Sequence, residues 1–225
     1  MRKMIGMFFV LACCVGASIA QQPKLASLDK VDVFAGYSFS RNYFASVTPF
    51  PMNLQGGQGA ITYNLTRHLG MTAEMAGYTN DATFEDIPLT FTTEGYLFGP
   101  NGHYHFKGTP VSIFAHQLFG VTHMTLTVDP SADCTTNCSA TVNPFTTASG
   151  GGVDVKVSKH LWIRPAQLEY FNQAINLYDL EDAFATAQPG SGPRSAAHPE
   201  AGPGNPGIYI TSQGLRYSAG VVVHF

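Results

Sequence analysis

Three histidines in two short stretches are the residues of this chain best suited to metal chemistry. "HYH" places His103 and His105 two positions apart, and "AHQ" brings His116 near them if the two stretches are neighbouring strands. Three imidazoles that meet in this way form a common zinc ligand set. Because this depends on an inferred strand register and short histidine pairs arise readily by chance, we interpret them as turn-proximal or inward-facing polar residues. We expect no metal and no cofactor.

A hydrolytic site is the second chemical possibility. Ser112 and His116 are four positions apart and share one face of an extended segment. A serine nucleophile needs a base that a third group orients, and neither such a group nor a nucleophile-elbow pattern accompanies this pair. We therefore expect no catalytic residues and no enzymatic activity.

The N-terminus indicates the compartment in which any such chemistry would take place. "MRKMIGMFFVLACCVGASIA" has a basic tip, an apolar stretch and small residues before Gln21, which is the layout of a secretory signal peptide. We expect cleavage after Ala20, which gives a signal peptide at 1–20 and one exported domain at 21–225. A membrane-anchoring helix and lipoprotein processing at Cys13 are the alternatives.

The remaining cysteines indicate a structural role. Cys134 and Cys138 are close together in "DCTTNCSA", and two such thiols in an exported chain favour a small disulfide ring. The alternative is a metal clip, for which no complementary His or Cys ligands lie nearby. We interpret the pair as a loop staple with a small effect on global stability.

The composition separates this chain from ordinary soluble domains. Only 12% of the 225 residues are charged, 44% are hydrophobic and the net charge is -3, whereas soluble domains are about 25% charged. No interior stretch reaches the roughly 20 apolar residues of a membrane helix. The negative charge and the lack of a basic stripe argue against a nucleic-acid partner.

Alternating residues divide the exported domain into eight segments, each long enough to cross a bilayer as a tilted strand of about 9 to 11 residues or a little more. They lie at 31–40, 56–66, 69–79, 90–104, 111–126, 147–157, 161–173 and 208–225. The connections alternate between long and short, with the short ones at 67–68, 106–110 and 158–160. This pattern predicts an all-β, eight-stranded antiparallel up-and-down transmembrane barrel with short periplasmic turns and long extracellular loops.

One face of most strands is apolar and the other carries polar residues, which predicts a lipid-facing outside and a filled polar lumen. The inward candidates for a lumen ion-pair network are Asp32, Glu74, Asp154, Lys156, Arg164 and Arg216, because buried charges persist when they are paired. Glu169 is five positions from Arg164 and therefore on the opposite face of a regular strand; a break at Pro165 would bring both inside, and a site above the bilayer for Glu169 is the alternative. In the fourth strand Glu94 falls on the wrong face unless "GPNG" carries a bulge.

The order of these motifs resembles a known family. "VDVFAGYSFSR", "NLTRHLGMTAEMAGYT", "YLFGP", "GGGVDVKVSKHLWIRP" and "LRYSAGVVVHF" together look like the OmpA-like outer-membrane β-barrel domain, over nearly all of the exported chain. The resemblance implies a bacterial outer-membrane location, a monomer and contact with outer-membrane lipid. It also implies an assembly signal at Tyr217, Val221, Val223 and Phe225 that the barrel assembly machinery receives. The chain lacks the peptidoglycan-binding domain of full-length OmpA proteins, so we do not expect cell-wall tethering.

Three functional hypotheses follow. The first is an envelope structural or surface-interaction protein whose extracellular loops meet an unknown partner. The second is a narrow porin-like channel for small solutes, gated by the lumen ion pairs. The third is a soluble exported barrel that binds a small hydrophobic ligand, which requires an apolar inside and a polar outside.

Overall fold

The computed structural model describes residues 30–44, 52–84, 87–128, 138–176 and 209–225. These residues form nine strands: β1 (Val31–Phe44), β2 (Met52–Asn64), β3 (Leu69–Phe84), β4 (Ile87–His105), β5 (Val111–Val128), β6 (Cys138–Val142), β7 (Phe145–Lys156), β8 (Leu161–Asn176) and β9 (Tyr209–His224). In the part of the chain described here, no helix is long and apolar enough to cross a membrane.

The strands close into a ring of antiparallel neighbours. The hydrogen-bonded order is β4-β3-β2-β1-β9-β8-β7-β5, and a pairing of β4 with β5 completes the ring. β6 and β7 pair with β5 in one continuous register, Val142 opposite Met124 and Phe145 opposite Val121, and so form one barrel strand. The described segments therefore make a closed eight-stranded antiparallel barrel, which confirms the predicted fold class.

The polarity of the barrel wall follows the period-two pattern of the strands. Large apolar side chains lie on the outside, among them Ile61, Met75 and Leu168, each at least 56% exposed. Polar side chains on the alternate positions are buried in the interior, among them Ser38 and Glu169 with no exposed surface. A soluble barrel that encloses a hydrophobic ligand needs the reverse arrangement, so the third hypothesis does not fit this fold.

The strands extend further from the short turns than the sequence predicts. The prediction of a long connection at 80–89 was wrong, because β3 runs to Phe84, β4 starts at Ile87 and these two residues are paired. Likewise β6 lies inside the connection expected at 127–146. Polar residues predominate in both regions, as in "NDATFED" and "DCTTNCSA", so they resemble loops when lipid-facing strands are sought.

Pro165 creates the break that brings two charged residues inside. The register between β8 and β9 shifts by one residue between Arg164 and Gln167, and that between β7 and β8 shifts between Val153 and Val155. Proline has no N–H to give to the ladder, so it suits such a bulge. Arg164 and Glu169 are both buried inside as a result, which agrees with a break at Pro165 and not with a site above the bilayer for Glu169.

The expected bulge in β4 does not occur. Phe98 opposite Phe119 and Asn101 opposite His116 are in the same register. Glu94 consequently faces outward, where the hydroxyl of Tyr96 donates to its Oε2 at 3.1 Å.

Three tight turns lie on one edge of the barrel, called the turn edge below. In the first, Thr66 Oγ1 accepts hydrogen bonds from the backbone N–H groups of His68 and Leu69 at 3.2 and 3.0 Å. In the second, Gly108 has a φ of 77°, a left-handed conformation that favours glycine. The third joins β7 to β8, and Ser158 Oγ accepts from the Leu161 N–H at 3.2 Å. The short connections predicted from the sequence are confirmed.

Candidate functional site

The centre of the barrel interior is spanned by one arginine and two glutamates from three different strands. Arg216 on β9 is 5% exposed. Its Nε and Nη2 atoms donate to the two carboxylate oxygens of Glu169 on β8, each at 2.7 Å. Nη2 also contacts the carboxylate of Glu74 on β3, and Nη1 donates to the Tyr78 hydroxyl at 3.3 Å. Charge-assisted bonds of this kind are among the strongest in proteins.

Two further side chains complete the partners of the two carboxylates. His116 Nε2 lies 2.8 Å from Glu169 Oε1, and the Gln58 amide donates to Glu74 Oε2 at 2.6 Å. We call Glu74, His116, Glu169 and Arg216 the central quartet. Because its charges are buried, paired and hydrogen-bonded, the quartet satisfies the conditions under which charges persist in an interior.

Glu74, His116 and Glu169 also form the one group of three potential metal ligands in the described ranges, with ligand atoms within 4.8 Å of one another. The guanidinium of Arg216 already contacts both carboxylates. A cation placed between these oxygens would meet that positive charge at close range. We therefore interpret the group as an ion-pair cluster.

A second arginine lies between the central quartet and the turn edge. Arg164 donates to both carboxylate oxygens of Asp154, at 2.7 and 3.0 Å, and to Gln167 Oε1 at 2.8 Å. Its guanidinium carbon is 3.9 Å from the centre of the Phe114 ring and 4.5 Å from that of Phe34. This combination of a bidentate ion pair with aromatic faces is specific to arginine.

Below these residues the interior opens into a cavity of about 620 Å³, which reaches the turn residues Arg67, His68 and Lys107. We call it the vestibule. Asp32 and His224 lie in its wall, with His224 Nδ1 2.6 Å from Asp32 Oδ1. Buried atoms of its lining have no hydrogen-bond partner among the described residues, among them Asp32 Oδ1, Asn101 Oδ1 and His224 Nε2. The vestibule thus combines space with unsatisfied polar groups.

The other half of the interior is packed. Leu97, Leu118, Ala148 and Phe171 form a buried apolar cluster there. The cavity beside it, which Arg216 also lines, measures only about 30 Å³. The central quartet consequently separates a closed half from an open one.

A family model for the outer membrane protein beta-barrel domain matches residues 9–183. The chain belongs to this family. The predicted resemblance to OmpA-like barrels is confirmed at the level of family and fold, and the short turns of this outer-membrane barrel are assigned to the periplasm as in other bacterial barrels.

Solved structures share the fold of this outer-membrane barrel. Ail, the attachment invasion locus protein of Yersinia pestis, in complex with the heparin analogue sucrose octasulfate, is 13% identical with a TM-score of 0.54, over 87% of this chain and 98% of that chain. A second crystal structure of Ail gives 13% identity and a TM-score of 0.53, over 88% and 100%. Neisserial surface protein A is 12% identical with a TM-score of 0.48, over 87% and 97%. No curated protein matches the chain.

Five of the six predicted network residues of the outer-membrane barrel have a charged or histidine partner inside the lumen. Glu74 and Asp154 contact Arg216 and Arg164 respectively. Asp32 contacts no arginine in the described ranges; its partners are His224 and the Asn64 amide, the latter at 2.8 Å.

Lys156 was assigned wrongly to the network. Its side chain is exposed at the turn edge, with Nζ 5.8 Å from the centre of the Trp162 ring, and no ion pair joins it to an acid in the described part of the chain. Two residues beyond Asp154 the strand reaches the water at the barrel rim, and alternation alone does not show where that rim lies.

Two partners of the lumen carboxylates are not predicted from the sequence. His116 is interpreted there as a turn-proximal or inward-facing polar residue without a carboxylate partner, and His224 is assigned no role. The signal for His224 is its register, since Asp32 and His224 are directly opposite each other in the β1–β9 pair that closes the barrel. For His116 no comparable signal exists, because Glu169 becomes inward only through the bulge.

The residues of the predicted assembly signal line the outer face of β9 and the chain end. Tyr217, Val221 and Phe225 are 45%, 43% and 67% exposed, whereas Val223 is half-buried. The backbone N–H of Phe225 donates to the Val31 carbonyl at 2.9 Å. Recognition by the assembly machinery stays a prediction.

The predicted disulfide lies outside the described residues, because Cys134 and the side chain of Cys138 are not among them. Ser112 and His116 do not form a nucleophile–base pair: Ser112 donates to the Tyr104 carbonyl at 3.2 Å and His116 contacts Glu169. The absence of enzymatic activity stays a prediction.

Proposed function

We propose that this outer-membrane barrel is a non-conducting envelope scaffold that interacts with its surroundings through the strands and loops on its exterior side. The observation that carries the proposal is the central quartet, which joins β3, β5, β8 and β9 across the lumen. An eight-stranded barrel is only wide enough for side chains to fill. Charges paired across that width favour a plug over an open pore.

The exterior side supports the surface-interaction part of the proposal. On β3 the outward residues change from Met71 and Met75 to Thr79 and Asp81. The apolar part has the length of a tilted transmembrane strand, about 9 to 11 residues, and the β3–β4 hairpin continues to Phe84. We infer that the hairpin projects from the membrane on the exterior side.

The projecting part carries rows of hydroxyl groups. Thr79, Thr92, Thr125 and Thr141 are directly opposite one another on β3, β4, β5 and β6. We call them the threonine row. Asp81 and Glu94 are also exposed on this outer face. Hydroxyls and carboxylates favour neutral hydroxylated or cationic partners, whereas a polysulfated sugar such as the one held by Ail would meet like charge.

Two measurements test the proposal. In planar bilayers we expect no stable conductance from the wild-type protein, and steady ion-conducting steps would contradict the non-conducting part. In a strain that lacks the protein, the wild-type gene should restore resistance of the envelope to detergent. A variant in which Thr79, Thr92, Thr125 and Thr141 are alanine separates the roles: full restoration places the function in the barrel, and lost restoration at normal protein level places it on the threonine row.

A narrow channel is the second candidate, because cavities of about 620 and 30 Å³ lie on the two sides of the central quartet. If the quartet is a gate, Glu74→Ala and Arg164→Ala should raise the conductance. A conductance that is absent or unchanged in both variants counts against this candidate.

A further inference from the structure

We propose that the vestibule binds a divalent transition-metal cation, Zn²⁺ or Cu²⁺, through the imidazoles of His103, His105 and His224. This site is separate from the central quartet and goes beyond the scaffold role. It lies at the periplasmic end of the lumen and is therefore reached from the periplasm.

His224 has the environment of a metal ligand. Its Nδ1 is 2.6 Å from Asp32 Oδ1, although the contact does not have hydrogen-bond geometry, and the Asn64 amide donates to the other oxygen of that carboxylate at 2.8 Å. Metal-binding histidines typically donate the N–H of their second ring nitrogen to a carboxylate, which fixes the ring and leaves the lone pair on the metal-binding nitrogen. Asp32 Oδ1 is close enough to His224 Nδ1 to take this role after a rotation of the imidazole. The Nε2 atom of His224 has no partner among the described residues, and His224 is 8% exposed.

His103 and His105 supply the second half of the site. Both line the vestibule, and their ring centres are 5.4 Å apart. Two imidazoles on one tetrahedral ion, with metal–nitrogen distances of about 2.0–2.1 Å, have ring centres about 5 Å apart. The spacing of this pair is therefore already close to that of a bound pair.

Trp162 lies beside both His105 and His224 and so links the two parts of the proposed metal site. The centre of its ring system is 5.6 Å from the His105 ring and 4.9 Å from the His224 ring. The three imidazoles do not yet bring their ligand atoms within 4.8 Å of one another, since the described residues contain that arrangement only at the central quartet. Binding thus requires rotation of side chains, and the cavity of about 620 Å³ gives them room.

The charges around the vestibule favour a metal ion that is coordinated by imidazole nitrogens over an ion that is held by electrostatic attraction alone. Arg67 and Lys107 lie at its opening and repel free cations, so a hard ion such as Mg²⁺, which binds through carboxylates, is disfavoured. Imidazole suits zinc and copper, and the carboxylate of Asp32 behind His224 offsets part of the repulsion.

Trp162 is the only tryptophan of the chain, so its fluorescence reports on this site directly. The experiment titrates Cu²⁺ into the untagged protein folded in lipid vesicles. We expect saturable quenching at one ion per barrel, because Cu²⁺ in the vestibule would lie beside the indole. His105→Gln and His224→Gln should each weaken binding at least tenfold, and Asp32→Asn by about tenfold through its effect on His224.

Matched controls keep the result specific. His123→Gln changes an exposed histidine on the exterior side and should leave the titration unchanged, and calorimetry with Zn²⁺ should show the same order of variants. Heat-modifiable gel mobility verifies that every variant is folded. Quenching that does not saturate, or that is equal in the wild-type, His105→Gln and His224→Gln proteins, would overturn the proposal. Loss of quenching in His160→Gln alone would do the same, because it would place the ion on the turn outside the vestibule.

Discussion

The exterior and periplasmic halves of the lumen are built from the same strands but differ in how completely they are filled. In the exterior half Leu97, Leu118 and Phe171 pack together, and the cavity measures about 30 Å³. In the periplasmic half the cavity measures about 620 Å³. Buried polar atoms without a hydrogen-bond partner among the described residues occur in both halves, for example Asn101 Oδ1 in the periplasmic half and Gln173 Oε1 in the exterior half. The central quartet forms the boundary between the two.

The difference in filling predicts that the two halves contribute unequally to the stability of the barrel. Close packing stabilises a fold, whereas an unfilled cavity beside buried polar atoms costs stability unless a ligand or water occupies it. We therefore expect mutations on the two sides of the quartet to differ in cost, with large losses at and above the quartet and small ones in the vestibule.

The largest expected effect comes from removal of the cation at the boundary. Arg216→Met leaves Glu74 and Glu169 buried without their counter-charge, and breaking a buried pair in this way costs about 3–5 kcal/mol of unfolding free energy. Urea unfolding in lipid vesicles measures the loss. The triple variant with Glu74→Gln and Glu169→Gln added should recover most of it, and a loss below about 1 kcal/mol in the single variant would contradict the role given to the quartet.

Leu118→Ala tests the packed half. Leu118 has no exposed surface, and truncation of a buried leucine costs about 2–5 kcal/mol. We expect a value in the lower part of this range, because Leu97 and Phe171 can move towards the gap. The same unfolding measurement applies, and a neutral result would show that the exterior half is as loosely filled as the vestibule.

Arg164→Lys tests the layer between the quartet and the vestibule. The lysine keeps the charge but loses the bidentate contact with Asp154 and the packing over the Phe34 and Phe114 rings. We expect a loss of about 1–2 kcal/mol. An unchanged unfolding midpoint would show that charge alone holds Asp154.

Asn101→Leu is the matched change in the vestibule and has the smallest expected effect. It removes a donor to Thr72 Oγ1 at 3.1 Å together with the unpartnered oxygen. Since an unsatisfied polar atom is replaced by apolar surface of similar size, the net change should stay within about 0.5 kcal/mol. A loss as large as that of Leu118→Ala would remove the distinction between the two halves.

The fold could be predicted from this sequence to a large extent, because lipid on one side and a narrow lumen on the other force strict alternation. Asp32, Glu74, Asp154 and Arg216 were placed inside for that reason alone. Alternation does not show how far along the barrel axis a residue lies, which is why Lys156 was assigned to the lumen although it lies at the rim.

The candidate sites depend on information that one strand does not contain. His224 meets Asp32 only because β9 closes on β1 in one particular register. Glu169 reaches Arg216 only because a bulge intervenes. The exterior extensions were missed because their exposed residues are polar, as at Asp81 and Thr141, and no lipid marks an outer face there. Pairing partners and local irregularities thus decide the chemistry after alternation has decided the fold.

The bulge at Pro165 reverses the alternation of inward and outward side chains along the rest of β8. Before the bulge the even-numbered residues face the lumen, and after it the odd-numbered residues do. Leu168 and Tyr170 therefore face the lipid and Glu169 faces the lumen. A regular strand of the same length would direct the glutamate into the membrane and the leucine and tyrosine into the plug, whereas deletion of one bulged residue would keep Glu169 opposite Arg216. The number of residues between Arg164 and Glu169, as well as their types, therefore decides which side chains of β8 reach the lumen.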